Sequence, residues 1–256
     1  MGSWFARQFL ERNHSVKIYD KNLSKLSSLE RVGARACSSL DEAVEGVEVV
    51  LAAVPIESTA KVVRAAANLM GSGVVAEIAS LKLPVIETLR RLPKEINPLS
   101  LHPLFGPGLR DLREGRFALI PVRSLVNELE VARRVFDGAE FITVSAEEHD
   151  EAMAYTLSLT HLISLAASLT LPANLIELLK RLSGTSFSSL ASMMSASLKE
   201  TPSTFTQILK LNKNTVQVAD KFLDRFEEVL ESIRLGNYDE VEEYLRKGFE
   251  VTRMLR

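Results

Sequence analysis

The segment Ser100-Leu-His-Pro-Leu-Phe-Gly-Pro-Gly108 sets an imidazole between an apolar run and a rigid Pro/Gly loop. Proline after His102 biases that residue toward extended backbone, and Gly106-Pro107-Gly108 turns the chain sharply, so the ring is expected to project from the end of a strand. In open α/β sheets that edge is where ligands bind. Histidine is the side chain whose ordinary pKa, about 6.5, lets it exchange a proton near neutrality. Read alone, the segment equally suits a partly buried histidine with both nitrogens satisfied by backbone. Glu77-Ile-Ala-Ser-Leu-Lys82 follows another strand pattern, and Ser80 stands twenty-two positions before His102. Both segments can therefore end at one sheet edge, with Ser80 hydrogen-bonded to the imidazole.

A second group of residues suggests a nucleotide. Met1-Gly2, a helical stretch from Ser3 to Glu11, a strand and then Asp20 reproduce the back half of a G-x-G-x-x-G fingerprint. In that pattern the last glycine permits close helix packing, and an acid about twenty positions on binds the ribose hydroxyls. Gly2 is read as that glycine and Asp20 as that acid, although a turn residue at a strand end also fits Asp20. An acid there favours NAD over NADP, a preference that Lys21 beside it weakens. The front half of the fingerprint and its strand are missing, and in this topology that strand sits mid-sheet. Three or four buried side chains at roughly 1.5–3 kcal/mol each come to roughly 5–10 kcal/mol, as much as the whole stability of a typical domain. The natural chain is therefore expected to begin upstream of Met1.

The elements that must hold these residues follow from periodicity. Ser15–Tyr19, Ala34–Cys37, Val47–Val54, Val74–Ile78, Pro98–Leu101, Phe117–Pro121 and Phe141–Val144 read as strands, with helices at 23–32, 41–45, 58–70 and 84–91 between them. Runs of this kind, buried on both faces, predict an α/β fold with a doubly wound, Rossmann-type parallel sheet over residues 1–145. From Ala146 the strand signal stops. Helical patterning at 162–167, 173–182, 188–198, 205–233 and 239–255 predicts an all-helical second domain over 146–256.

Composition narrows the function. The 256 residues carry a net charge of −2 and no basic cluster interleaved with aromatics, which argues against a nucleic-acid surface and toward small molecules. The single cysteine, Cys37, excludes an internal disulfide and suits a buried position in a reducing cytosol. No metal site is expected. No secretory n-region or h-region opens the chain, and the longest apolar region, 162–179, is interrupted by Pro172, Asn174 and Glu177. A soluble cytoplasmic protein is expected.

Taken together, Ser80-x-Lys82, Leu101 to Pro107, and Glu148-His-Asp-Glu-Ala-Met-Ala-Tyr155 with Thr160-His161-Leu162 resemble the prephenate dehydrogenase family over nearly the whole chain. That family shares an S-x-K segment after one strand, H-P-[ML]-F-G-P after the next, and H-D…H-L opening the first helix of a helical second domain. The resemblance implies a cyclohexadienol substrate bearing a ring hydroxyl, a ring carboxylate and a side-chain keto acid. It implies that His102 takes the proton of the ring hydroxyl while hydride leaves the same carbon for NAD and carbon dioxide departs. Ser80 would orient His102, and His161 would contact substrate. Lys82 would neutralise substrate or cofactor charge, where an isolated loop lysine could also be simply solvated. Ala53-Val54-Pro55 would lie beside the nicotinamide.

The family's carboxylate-clamping arginine has no counterpart on Phe187–Leu198, where Ser188 and Ala196 stand at the expected positions. Ser188 is taken as a substrate contact, and Arg110, Arg113 and Arg116 are either replacements for the clamp or an ordinary solvated face. The resemblance also implies a homodimer built through the helical domain, which the apolar stripe Phe222, Phe226, Val229 and Ile233 would suit. Prephenate is the leading substrate and arogenate the next. Two other readings stay open: another hydroxy-acid dehydrogenase, which would need a lysine base where this chain has His161, and a catalytically degenerate dimer that binds a metabolite.

Overall fold

The computed structural model describes residues 1–255. Its first part alternates as α1 (Gly2–Glu11), β1 (Lys17–Ile18), α2 (Ser27–Glu30), β2 (Arg35–Ala36), α3 (Leu40–Val44), β3 (Val49–Ala52), α4 (Ile56–Met70), β4 (Gly73–Glu77), α5 (Leu83–Arg90), β5 (Ile96–Pro103), β6 (Arg116–Ile120), α6 (Leu125–Val135) and β7 (Glu140–Thr143). Only helices follow: α7 (Ala146–Met153), a π-helical turn (Ala154–Leu159), α8 (Thr160–Thr170), α9 (Ile176–Leu182), α10 (Thr185–Ser197), α11 (Pro202–Leu211), α12 (Thr215–Arg234) and α13 (Tyr238–Met254). Sequence periodicity misses α6, and it reads α11 and α12 as one helix. Asn212 breaks that run: its backbone is extended, and its side-chain amide donates to Asp150 O at 2.7 Å. Asparagine prefers such caps to helix interiors because its side chain competes for backbone groups.

Two compact units result, Met1–Met153 with Leu198–Asn212, and Ala154–Ser197 with the residues from Lys213 on. In the first, β3, β4 and β5 are parallel neighbours in a five-stranded sheet of order β3-β4-β5-β6-β7. β6 runs antiparallel to β5, a departure from the all-parallel expectation. The link between them, 104–115, contains only a 3₁₀ turn at Leu112–Glu114. A parallel return is usually carried by a helix across the sheet, which this link does not contain, and the chain simply reverses.

The sheet is also divided. β1 and β2 pair as a separate parallel ribbon, and the outer edge of β3 meets no strand among the described residues. α1 spans the division: Ala6 and Leu10 pack with Val16, Ile18 and Leu29 beside the ribbon, while Trp4 and Phe5 pack with Val74, Ala76, Leu99 and Leu101 of the main sheet. The opposite face of that sheet is covered by Val63 and Ala67 of α4 and Val85 and Leu89 of α5. Burial on both faces accounts for the near-continuous apolar runs of β4 and β5. Cys37 closes the ribbon; its amide donates to Ile18 O at 2.8 Å and its side chain is 2% exposed.

In the second unit α8 packs on α10, and α12 packs on α13 and on the π turn. Phe222, Leu223, Phe226 and Ile233 of α12 remain exposed, as do Leu245, Phe249 and Met254 of α13. The helical run Ala146–Thr170 is long and apolar enough, by length and composition alone, to cross a membrane. Its first turns, however, carry His149 and Asp150 into the core of the first unit.

Candidate active site

Strand register assembles the site. Ala52 is paired with Glu77, and Glu77 with Ser100, so the segments leaving β3 and β4 and the last residues of β5 lie at one edge of the sheet. His102 is there, near the end of β5, and the residue is 8% exposed. Its Nδ1 stands 3.0 Å from His149 Nε2, and His149 Nδ1 stands 2.8 Å from Asp150 Oδ1. Nε2 of His102 makes no hydrogen bond among the described residues and is not a sealed-off atom. The loop beyond His102 is pinned to α1: Trp4 Nε1 donates to Leu109 O at 2.8 Å, Leu112 N donates to Gln8 Oε1 at 2.8 Å, and Arg12 pairs with Asp111 at 2.6 Å.

Asp150 does more than face His149. Its carboxylate accepts the backbone N–H groups of Lys82, at 2.8 Å on Oδ1 and 3.2 Å on Oδ2, and of Leu83 at 2.9 Å, capping α5. A carboxylate suits a helix N-terminus, where free N–H groups and the helix dipole both favour negative charge. Beneath it Lys82 is fully buried. Its ammonium donates to Glu77 Oε1 at 2.8 Å and to Leu101 O at 2.6 Å, and Ser100 Oγ donates to the same Glu77 oxygen at 2.6 Å. Burial pulls the Lys82 ammonium below the usual lysine range, against the upward pull of Glu77. Burial also holds His102 well below its ordinary value of 6.5, helped by the charge of Lys82 and then by His149. A neutral imidazole, ready to accept a proton, is the result.

Two expectations shift accordingly. Ser80 is half-buried and makes no hydrogen bond to His102 among the described residues; His149 occupies Nδ1 instead. Lys82 is spent on Glu77 and Leu101 inside the protein, so its charge does not face a ligand.

The nucleotide residues lie in the same unit. A Cβ on Gly2 would stand 3.2 Å from Ala53 Cβ, so α1 begins tight against the exit of β3, and the absence of a side chain is what permits it. Ala53 and Pro55 are exposed, Val54 is half-buried, and Pro55 precedes α4. α1 advances about 15 Å over its length, and β1 returns alongside it at about 3.3 Å per residue. Asp20, two residues beyond β1, is half-buried and accepts from Asn22 N at 2.8 Å.

The sequence model of the prephenate dehydrogenase nucleotide-binding domain matches residues 5–137, and that of the prephenate dehydrogenase dimerization domain matches 145–247. The chain belongs to the prephenate dehydrogenase family. A curated relative, the probable arogenate/prephenate dehydrogenase of Methanocaldococcus jannaschii, is 24% identical over 244 residues, covering 91% of this chain and 54% of its own length. The chain thus spans about half of that relative. Among solved structures, prephenate dehydrogenase from Aquifex aeolicus in complex with hydroxyphenyl propionate and NAD+ superposes with a TM-score of 0.75 at 19% identity, covering 99% of this chain and 94% of that one. Synechocystis arogenate dehydrogenase gives 0.70 at 16% identity, covering 96% and 93%. At these identities the superpositions speak to the fold, a Rossmann-type sheet followed by helices.

For this prephenate dehydrogenase family member, the remaining expected contacts lie in the helical unit. His161 is buried on α8, with Ser164 buried one turn further along. Ser188 is exposed on α10, where its carbonyl accepts from Ser192 Oγ at 2.8 Å. Of the three arginines, Arg113 is tied to Asp111 at 2.6 Å, while Arg110 and Arg116 are exposed. His149 and Asp150 are the residues that sequence reasoning left without a role. They sit in the quoted His-Asp segment, but nothing in its spacing says that the fold returns it to His102.

Proposed function

We propose that the protein catalyses NAD-dependent oxidative decarboxylation of prephenate to 4-hydroxyphenylpyruvate in tyrosine biosynthesis. The observation that carries this reading is His102: a buried, neutral imidazole with one nitrogen held by His149 and the other open at the sheet edge shared by Gly2 and Ala53–Pro55. The glycine-tight start of α1 suits a dinucleotide phosphate, since helix N-termini with exposed N–H groups bind anions. Asp20 would bind the ribose hydroxyls, and Ala53-Val54-Pro55 would leave room beside the nicotinamide. Bound NAD supplies the hydride acceptor. His102 would hold the ring hydroxyl through Nε2 and take its proton as the alcohol is oxidised, a role for which a neutral base is required. His161 and Ser188 are proposed substrate contacts, and Ser80 is proposed to act on substrate or on His102 once ligands are present.

Dinucleotide binding is assigned to residues 1–145. Substrate binding and homodimer formation are assigned to 146–256, with α7 lending His149 to the first region. The cytoplasm is the proposed location, supported by the lone buried thiol.

The test is absorbance of reduced nicotinamide with prephenate, then arogenate, each with NAD and NADP. Turnover fastest with prephenate and NAD is expected. Preference for arogenate would move the assignment to arogenate dehydrogenase, in line with the missing arginine on α10, and inertness toward both would defeat the proposal.

A further inference from the structure

Asp150 is an acceptor on both oxygens, engaged by the N–H groups of Lys82 and Leu83. Facing such a group at 2.8 Å, His149 Nδ1 must carry the proton. We take His149 to carry that one proton and no second; its lone pair is then on Nε2, and the atom 3.0 Å away, His102 Nδ1, is the donor. The lone pair of His102 is left on Nε2, the nitrogen open to the edge. Each link follows from the one before, so a carboxylate two residues removed decides which nitrogen of His102 can act as a base.

We propose that His149 and Asp150 are positioning residues that lock His102 in its Nδ1–H tautomer and take up the positive charge when His102 accepts a proton. The inference rests on the function proposed above. As the substrate O–H bond breaks, a bond from hydrogen to His102 Nε2 forms. The alcohol carbon loses hydride to the oxidised nicotinamide dinucleotide and becomes a carbonyl; for prephenate carbon dioxide then leaves, and the pair of the broken carbon–carbon bond moves through the ring to the carbonyl oxygen, which becomes the phenolate of an aromatic ring. The Nδ1 proton of His102 passes to His149 Nε2, leaving His102 neutral and His149 cationic beside Asp150. Charged groups on every side favour this transfer. Lys82, paired with Glu77 on the β4 side, opposes a cation on His102, whereas Asp150 on α7 favours one on His149.

Two variants of the 256-residue chain test the lock. Asp150→Asn keeps an oxygen for the start of α5 and offers His149 an amide donor, which reverses the direction of both hydrogen bonds. His149→Leu removes the acceptor for His102 Nδ1. Long-range ¹H–¹⁵N spectra of ¹⁵N-histidine-labelled protein, without ligands, should show His102 as Nδ1–H in the wild type, Nε2–H in D150N and a tautomer mixture in H149L. In turnover, D150N should lose about 10²- to 10⁴-fold in kcat, the scale of a wrong-tautomer base, with KM and dinucleotide affinity little changed. A wild-type His102 in the Nε2–H form overturns the inference, as does an unchanged tautomer in both variants. The spectra need no substrate, so they stand even if neither prephenate nor arogenate is turned over, an outcome that would sink only the assigned reaction. Should D150N not fold, H149L carries the same comparison.

Discussion

His102 combines two features that pull against each other in most side chains, burial and basicity. With its folded-state pKa held well below 6.5, the unfolded chain binds a proton between about pH 6.5 and that lower value which the folded chain refuses. Stability should therefore fall as pH drops below about 6.5, and the acid limb of kcat/KM should lie below 6.5 as well; a limb at or above 6.5 would show that the ring is not desolvated in solution. His102→Asn should cut kcat by about 10²- to 10⁴-fold while dinucleotide affinity, measured by fluorescence titration, stays within a factor of about two. The importance of His102 was legible in the sequence because proline and glycine around it dictate a strand end. Its partners were not. Ser80 sits at the correct edge, but a histidine forty-seven positions away, placed by α7, reaches the ring first. No local pattern encodes a contact made by tertiary packing.

Among the elements, the junction of β4, α5 and β5 depends on a buried ion pair. Glu77 and Lys82 are both fully buried; Ser100 Oγ and the backbone N–H of Ala79 donate to the carboxylate, and Leu101 O accepts from the ammonium. Removing one partner leaves an uncompensated charge in the core, which costs about 3–5 kcal/mol, whereas replacing both with neutral groups of similar volume is often tolerated. Urea unfolding should show Lys82→Met as severely destabilised and the double variant Glu77→Gln/Lys82→Met as largely restored. Equal losses in both would mean that the pair is not coupled. Apolar runs gave away the strands of this region. Direction was harder to read: the reversal at β6 goes with a link that holds no crossover helix, and the extent of that link became clear only once β5 was seen to reach Pro103. Lys82 shows the same limit, since a lysine next to a loop looks solvated until the strand behind it closes over the side chain.

At the scale of the whole molecule, the helical unit leaves Phe222, Leu223 and Phe226 on α12 and Leu245 and Phe249 on α13 exposed in a single copy. Exposed apolar side chains on two helices of this unit suit the proposed homodimer, in which a two-fold interface buries the same residues of each copy. Sedimentation at micromolar concentration should give a dimer that Phe226→Glu weakens, and a monomeric wild type would remove the assignment. The amphipathic period of α12 was visible in the sequence; whether the stripe faces its own core or solvent was decided only by packing. A further consequence comes from Cys37, the chain's sole thiol, buried at the end of the β1–β2 ribbon with its ionisation pushed up by burial. A thiol-reactive dye can reach it only when the ribbon lifts, so labelling speed acts as a built-in clock for that movement. Because Asp20 extends from β1, dinucleotide present at about a hundred times its Kd should slow the clock by up to roughly a hundredfold. Labelling that ignores the dinucleotide would mean that its ribose is held elsewhere.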